Sequence, residues 1–118
     1  MKSALYGGLF KYSDDCFVDI YDNGSVIFTI FQILCYMGFK EIDILGCDCN
    51  YNQSKTHFAD YGHVDPYADA AVARMFQAHE VFKAYAEKKG IKVINCTRGG
   101  KLEVYPRMNL EDVLKEKV

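Results

Sequence analysis

The chain has 118 residues, half of them hydrophobic, with 14 basic and 16 acidic side chains and a formal net charge of −2 at pH 7. A single domain with its own core is the natural expectation at this length and composition. Nucleic-acid-binding domains are usually basic, so the slight negative charge argues against nucleic acid as a partner.

Membrane insertion and export are also disfavoured. The longest apolar run, Val26 to Phe39, is interrupted by Thr29 and Gln32, and it is shorter than the roughly 20 residues that a helical span needs. The start of the chain, MKSALYGGLF, does not fit a secretory signal. Five cysteines, an odd number, with Cys35 and Cys96 in apolar runs, favour a reducing compartment over a disulfide framework. The prediction is a cytoplasmic protein without a transmembrane segment.

Strands and helices alternate along the predicted chain. The elements, in order, are a strand at Cys16–Tyr21, a helix at Val26–Met37 between the N-cap Ser25 and the C-cap Gly38, a strand at Glu41–Asp48, a helix from Asp65-Pro66 that Gly90 ends, a strand at Ile91–Cys96, and a helix at Leu110–Lys117 after Asn109. This alternation predicts a parallel sheet with right-handed crossovers. We therefore expect one α/β domain over residues 1–118, with a three-layer Rossmann-like sheet that resembles the C-terminal half of a doubly wound domain.

The carboxyl end of the strand Glu41–Asp48 is the predicted ligand edge, because open parallel sheets bind ligands just beyond the carboxyl ends of their strands. Gly46 would let a ligand approach the backbone closely. Asp48 could accept hydrogen bonds from ribose or sugar hydroxyls, or it could simply cap the turn. Ser25, at the start of a helix, could bind an anion or a base edge, or act as a plain N-cap.

The polar stretch after this strand, CDCNYNQSKTHFADYGHVD, is long for a loop, and loops of that length are often functional. The hydroxyls of Tyr51 and Tyr61 could bind phosphate oxygens. His57 or His63 could act as a general base. For each of the four residues taken alone, an ordinary solvated loop is the favoured interpretation.

A zinc site formed by Cys47 and Cys49 with the two loop histidines is the weaker interpretation. The Cys-x-Cys spacing is shorter than the separation usual between paired zinc ligands. Cys47 also follows a buried strand directly and could point into the core. No metal ligand is therefore predicted.

A family resemblance spans residues 24–51, GSVIFTIFQILCYMGFKEIDILGCDCNY, and the later stretch AYAEKKGIKVINCTRGGKLEVYPR. Both resemble the 6-hydroxymethylpterin diphosphokinase-like domain family and, more remotely, the glycosyltransferase family 42 sialyltransferases. The resemblance covers most of the chain from about Phe17 onward. It implies the C-terminal half of a larger glycosyltransferase-like domain. Either the missing half or a second copy of the chain would then cover the exposed apolar surface.

The resemblance also implies roles for particular residues. In the sialyltransferases, a serine before this helix and a Gly-x-Asp after the strand hold a cytidine nucleotide, tyrosines contact its phosphate, and a later histidine is the base. Matched by position, the nucleotide-binding residues are Ser25, Gly46, Asp48, Tyr51 and Tyr61. The catalytic residues are Tyr51 together with His63 or, alternatively, His57.

The expected function is thus that of a nucleotide-sugar-dependent, sialyltransferase-like glycosyltransferase. Its substrates would be a CMP-sugar and a glycan acceptor, with no cofactor firmly implied. One alternative is a pterin diphosphokinase-like transferase that uses ATP and Mg²⁺, held by carboxylates such as Asp48 and Asp60. Another alternative is a non-catalytic nucleotide-binding or vestigial module.

Overall fold

A computed structural model of the chain describes residues 2–3, 10–49 and 68–117, with residues 2–3, 68 and 69 described by their backbone alone. The described elements, in chain order, are β1 (Lys2–Ser3), β2 (Tyr21–Asp22), α1 (Val26–Tyr36), β3 (Glu41–Ile44), α2 (Ala68–Lys89), β4 (Lys92–Asn95) and α3 (Leu110–Glu116). The protein is therefore mixed α/β, which confirms the predicted class. No helix among these residues is long and apolar enough to cross a membrane.

The strands that lead to the predicted ligand edge, β3 and β4, pair in parallel, with Glu41 opposite Lys92 and Ile44 opposite Asn95. Backbone bonds extend the ladder at both ends, since Lys92 N–H donates to the carbonyl of Lys40 and Cys96 N–H donates to that of Ile44. A second parallel pair joins β1 to β2. Within the described residues the strands thus form two two-stranded sheets.

All three predicted strands are longer than the observed ones, although the last, Ile91–Cys96, exceeds β4 by only one residue at each end. The predicted strand at Cys16–Tyr21 is mostly wrong: the chain turns after Asp15, whose carbonyl accepts bonds from the N–H groups of Val18 and Asp19, and pairing begins only at Tyr21. The predicted strand Glu41–Asp48 pairs only as far as Ile44. It stops there because Gly46 has a positive φ of 79° and turns the chain out of the ladder.

Helices α1 and α2 end in the same way, at the two glycines predicted to stop them. After α1, Gly38 N–H donates to Cys35 and Phe39 N–H to Leu34; after α2, Gly90 and Ile91 repeat this pattern. Each pattern is a Schellman motif, which satisfies the last helical carbonyls. The predicted N-caps, Ser25 and Asn109, occupy the N-cap positions of α1 and α3, but neither side chain makes a capping hydrogen bond.

The main core lies between α1, α2 and one face of the β3–β4 sheet. The rings of Phe31 on α1 and Phe82 on α2 stack with centroids 4.2 Å apart and planes 9° from parallel. Val93 of β4 packs into this cluster, whereas Ile94, pointing the other way, packs against Val113 of α3. Burial of each large apolar side chain contributes about 1.5–3 kcal/mol.

Gln32 of α1 ties the N-terminal segment to this core, and its side chain is fully buried. Its amide oxygen accepts bonds from the N–H groups of Ser13 (3.1 Å) and Tyr21 (3.0 Å). Its amide nitrogen donates to the carbonyls of Tyr21 (2.8 Å) and Phe28 (2.9 Å). All four hydrogen-bonding positions of the amide are therefore used.

The side of α1 that faces away from the core carries an exposed apolar stripe, formed by Val26, Ile30, Ile33 and Met37. Val26 is 71 % exposed and Met37 is 64 % exposed. The four residues are spaced by three or four positions, so they line one face of the helix and its C-cap. Apolar residues therefore occur on nearly every side of α1, because some of them form the core and the others form this exposed stripe.

Candidate functional site

The candidate site lies where the chain leaves β3 and β4, and two hydrogen bonds join the segments that follow these strands. Cys47 N–H donates to the hydroxyl oxygen of Thr97 at 3.0 Å. Lys101 N–H donates to the carbonyl of Asp48 at 2.6 Å. The segment 45–49 and the segment 97–101 are therefore fixed to each other without any strand pairing between them.

The guanidinium of Arg107 holds the segment 97–101 from the other side. It donates to the carbonyls of Thr97 (3.0 Å), Gly99 (2.6 Å) and Gly100 (3.2 Å). The buried side chain of Asn95 accepts a bond from Thr97 N–H at 3.0 Å. A planar group with five donors suits such a set of convergent carbonyls, which a lysine could not bind in the same geometry.

Three of the predicted site residues are described by the structure. Gly46 and Asp48 are exposed in the segment that follows β3, and Ser25 lies at the start of α1. A Cβ built on Gly46 would meet no atom within 4 Å, so the space beside its backbone is open. Tyr51, His57, Tyr61 and His63 lie outside the described residues.

The same edge contains a compact group of three side chains that sequence reasoning did not assemble. The sulfurs of Cys47 and Cys49 are 3.8 Å apart. The Nε2 atom of His79 lies 4.0 Å from the Cys47 sulfur and 3.8 Å from the Cys49 sulfur. We call Cys47, Cys49 and His79 the Cys–Cys–His cluster.

Backbone conformation brings the two cysteines onto the same side. Alternate residues of an extended segment share a face, and Cys49, with φ of 52°, turns the chain so that its side chain enters the core. Within the described residues Cys49 is the only non-glycine residue with positive φ. A β-carbon makes this conformation unfavourable, so surrounding contacts must hold it, as is frequent at functional sites.

His79 reaches the cluster from the buried face of α2. It shares that face with Met75, Phe82 and Ala86, at spacings of three or four residues, and it is fully buried. The ring packs edge-on against Phe28, with centroids 4.7 Å apart. The Met75 sulfur lies 3.7 Å from that of Cys49 and closes one side of the cluster.

A hydrogen-bond pair with Tyr105 orients the His79 ring. The Tyr105 hydroxyl donates to the backbone carbonyl of His79 at 3.2 Å, and its oxygen lies 2.8 Å from the ring atom Nδ1. Both bonds form when Nδ1 carries a proton and donates it to the Tyr105 oxygen. With the proton at Nδ1, the ring turns the lone pair of Nε2 towards the two sulfurs.

The hydrogen bond between the two thiols shifts their pKa values in opposite directions. The bond from Cys49 lowers the pKa of Cys47, with a further contribution from His79. The same bond, together with burial, raises the pKa of Cys49. Half-buried Cys47 is therefore the more acidic of the two thiols, and buried Cys49 is the less acidic one.

His79 could have been found from the sequence by one signal. Its position, four residues after Met75 and three before Phe82, places it on the same helical face as these two apolar residues. A titratable ring there needs buried partners. The predicted zinc alternative paired the two cysteines with His57 and His63, whereas the structure places His79 beside them.

Comparison of the chain with protein-family models, with curated proteins and with solved structures gives no match. The function must therefore be argued from the residues and their arrangement.

Proposed function

We propose that this chain is a nucleotide-sugar-dependent glycosyltransferase domain, or part of one, of the sialyltransferase-like kind. The observation that carries the proposal is the position of Asp48, an exposed carboxylate four residues beyond Ile44, the last residue of the parallel strand β3. In open parallel sheets this is where nucleotides bind.

The backbone around Asp48 favours a preorganised contact. Its carbonyl is fixed by Lys101 N–H at 2.6 Å, and Gly100 packs against its backbone closely enough to leave no room for a β-carbon. A carboxylate on a fixed backbone can accept two hydrogen bonds from vicinal ribose hydroxyls with little loss of conformational entropy. Gly46 offers an open backbone surface beside it.

The reaction we propose is transfer of the sugar from a CMP-sugar to a hydroxyl of a glycan acceptor. A histidine, His63 or alternatively His57, accepts the acceptor proton as the new glycosidic bond forms. The bond from the anomeric carbon to the phosphate oxygen breaks, and CMP leaves with the electron pair. Tyr51 and Tyr61 would donate hydrogen bonds to the phosphate, and Ser25 would contact the nucleotide.

The finer fold that goes with this proposal is a three-layer Rossmann-like sheet. Two features support it. Helices α1 and α2 pack on the side of β4 to which Val93 points, and α3 packs on the side of Ile94. Further parallel strands beside β3 or β4 would complete a doubly wound domain.

The test is thermal stabilisation of the chain by CMP and by CMP-sialic acid, with UDP, GDP and ATP–Mg²⁺ as separate arms. A ligand at 100 times its Kd should stabilise the folded state by about 2.7 kcal/mol. We expect a shift with the cytidine nucleotides. Stabilisation by ATP–Mg²⁺ alone would instead favour the diphosphokinase alternative, and no shift with any arm would overturn the proposal.

A matched pair of variants locates the binding. Asp48→Asn keeps the size of the side chain but removes its charge, and it should abolish the shift with CMP. Asp112→Asn changes another exposed aspartate, in the first turn of α3, and should leave the shift intact. Equal shifts in the two variants would place any nucleotide elsewhere.

A further inference from the structure

We propose that Cys47, Cys49 and His79 bind one Zn²⁺ ion at the carboxyl end of β3. This inference is independent of the proposed transferase function, because it uses different side chains. It rests on the geometry of the Cys–Cys–His cluster, on its burial and on the hydrogen bond that orients its histidine.

The distances within the cluster match those of a tetrahedral zinc site. With Zn–S bonds of about 2.3 Å and a Zn–N bond of about 2.1 Å, two sulfurs stand about 3.8 Å apart and a sulfur and a nitrogen about 3.6 Å apart. The observed separations are 3.8 Å between the sulfurs and 3.8 Å and 4.0 Å from sulfur to Nε2. An ion at the centre would need ligand movements of only a few tenths of an ångström.

The ligand types and their charges also suit this ion. Thiolate and imidazole are the usual protein ligands of zinc. Two thiolates carry a charge of −2, which balances a divalent cation and leaves a neutral imidazole as the third ligand. Charge balance matters here because Cys49 is only 5 % exposed and His79 is fully buried, and an uncompensated charge in such a place is strongly unfavourable.

The hydrogen bond from His79 Nδ1 to Tyr105 supplies the outer support that zinc-binding histidines usually have. With its proton held at Nδ1, the ring presents the lone pair of Nε2 to the sulfurs. The half-buried side of Cys47 gives the ion a route in. Three protein ligands leave a fourth position for water or another donor, as in catalytic zinc sites.

The competing explanation is that three soft side chains simply pack together in the core. Packing alone would not require the left-handed backbone of Cys49, which turns its sulfur towards Cys47 and His79. The two explanations differ in whether the protein binds a metal stoichiometrically.

The experiment is titration of the full chain, reduced and freed of metal by a chelator, with Co²⁺ and then Zn²⁺. We expect one Co²⁺ per chain, with intense visible absorption from four-coordination and a near-ultraviolet charge-transfer band from the thiolates. Zn²⁺ should displace Co²⁺ and abolish both signals. X-ray absorption of the zinc-loaded chain should show two sulfurs at about 2.3 Å; a shell without sulfur would overturn the proposal even if no variant folded.

Variants assign the ligands. Cys47→Ser and Cys49→Ser should each weaken Zn²⁺ binding more than Tyr105→Phe. That variant removes no zinc ligand but removes the hydroxyl that bonds to Nδ1 and to the backbone carbonyl of His79, and it should weaken binding about 10- to 100-fold. Cys16→Ser, at another half-buried free thiol, is the matched control and should bind as the parent does. Equal affinity in the parent and in Cys49→Ser would overturn the proposal, as would equal losses in Cys49→Ser and Cys16→Ser.

Discussion

Replacement of Gly100 by alanine should separate the segments 45–49 and 97–101, which follow β3 and β4, and should lower the free energy of unfolding. A β-carbon on Gly100 would lie 2.6 Å from the carbonyl oxygen and 2.7 Å from the Cα of Asp48, and both are backbone atoms that cannot simply rotate away. Gly100 also has a φ of 75°. Alanine in that left-handed conformation costs about 1–2 kcal/mol, and the clash adds about 1–3 kcal/mol as overpacking.

Gly99→Ala is a nearly ideal control, because Gly99 has a φ of 72° but nothing within 4 Å of its would-be β-carbon. It should therefore lose only the backbone contribution, about 1–2 kcal/mol. Urea unfolding followed by circular dichroism would measure both variants, with midpoints compared at constant m. If Gly99→Ala and Gly100→Ala lost the same free energy of unfolding, the close contact with Asp48 would not contribute to stability.

Three further outcomes follow from features of the core and the surface. The lowered pKa of Cys47 means that its thiolate persists to lower pH than in a free cysteine. We expect alkylation of Cys47 in the metal-free chain to reach half its maximal rate at a lower pH than alkylation of Cys16, because burial raises the pKa of Cys16. Mass spectrometry measures the alkylation rate of each cysteine as a function of pH, and equal midpoints for the two would contradict this prediction. Gln32→Leu should destabilise the fold by about 1–3 kcal/mol in urea unfolding, because it leaves the buried N–H of Ser13 and the part-buried N–H of Tyr21 without this acceptor. A loss well below about 1 kcal/mol, the scale of one ordinary hydrogen bond, would contradict it. The exposed apolar stripe of α1 should make the chain form a dimer with a second copy. The double variant Val26→Glu, Ile30→Glu should abolish this dimer, as measured by light scattering. An unaltered chain that stays monomeric at all concentrations would contradict the prediction.

Local signals in the sequence predicted most of the helical framework. Glycine after an apolar helix predicted the ends of α1 and α2, and the structure shows a Schellman motif at both Gly38 and Gly90. The strands were predicted less well, because β-branched and aromatic residues at Cys16–Tyr21 fit a strand while Asp15 nucleates a turn through its own carbonyl. Strand pairing depends on distant partners, which composition does not reveal.

The candidate site was also predictable only in part. The positions of Gly46 and Asp48 past the carboxyl end of β3 were predictable from the apolar strand that precedes them, whereas their role in binding a ligand stays a prediction. The Cys–Cys–His cluster was not, since Cys49 and His79 are 30 residues apart and meet only through the packing of α2 on the core. A predicted periodicity places His79 on a buried face, but it does not say which residue from another element lies opposite.

The link between Asp48 and Lys101 also affects how this edge of the protein fluctuates. Amide groups in segments without strand pairing usually exchange their hydrogens with solvent quickly. Here the amides of Cys47 and Lys101 each bond across to the other segment, so neither can open without separating the two. Their exchange should be slow and should occur together, and a molecule that binds one segment should slow exchange in the other.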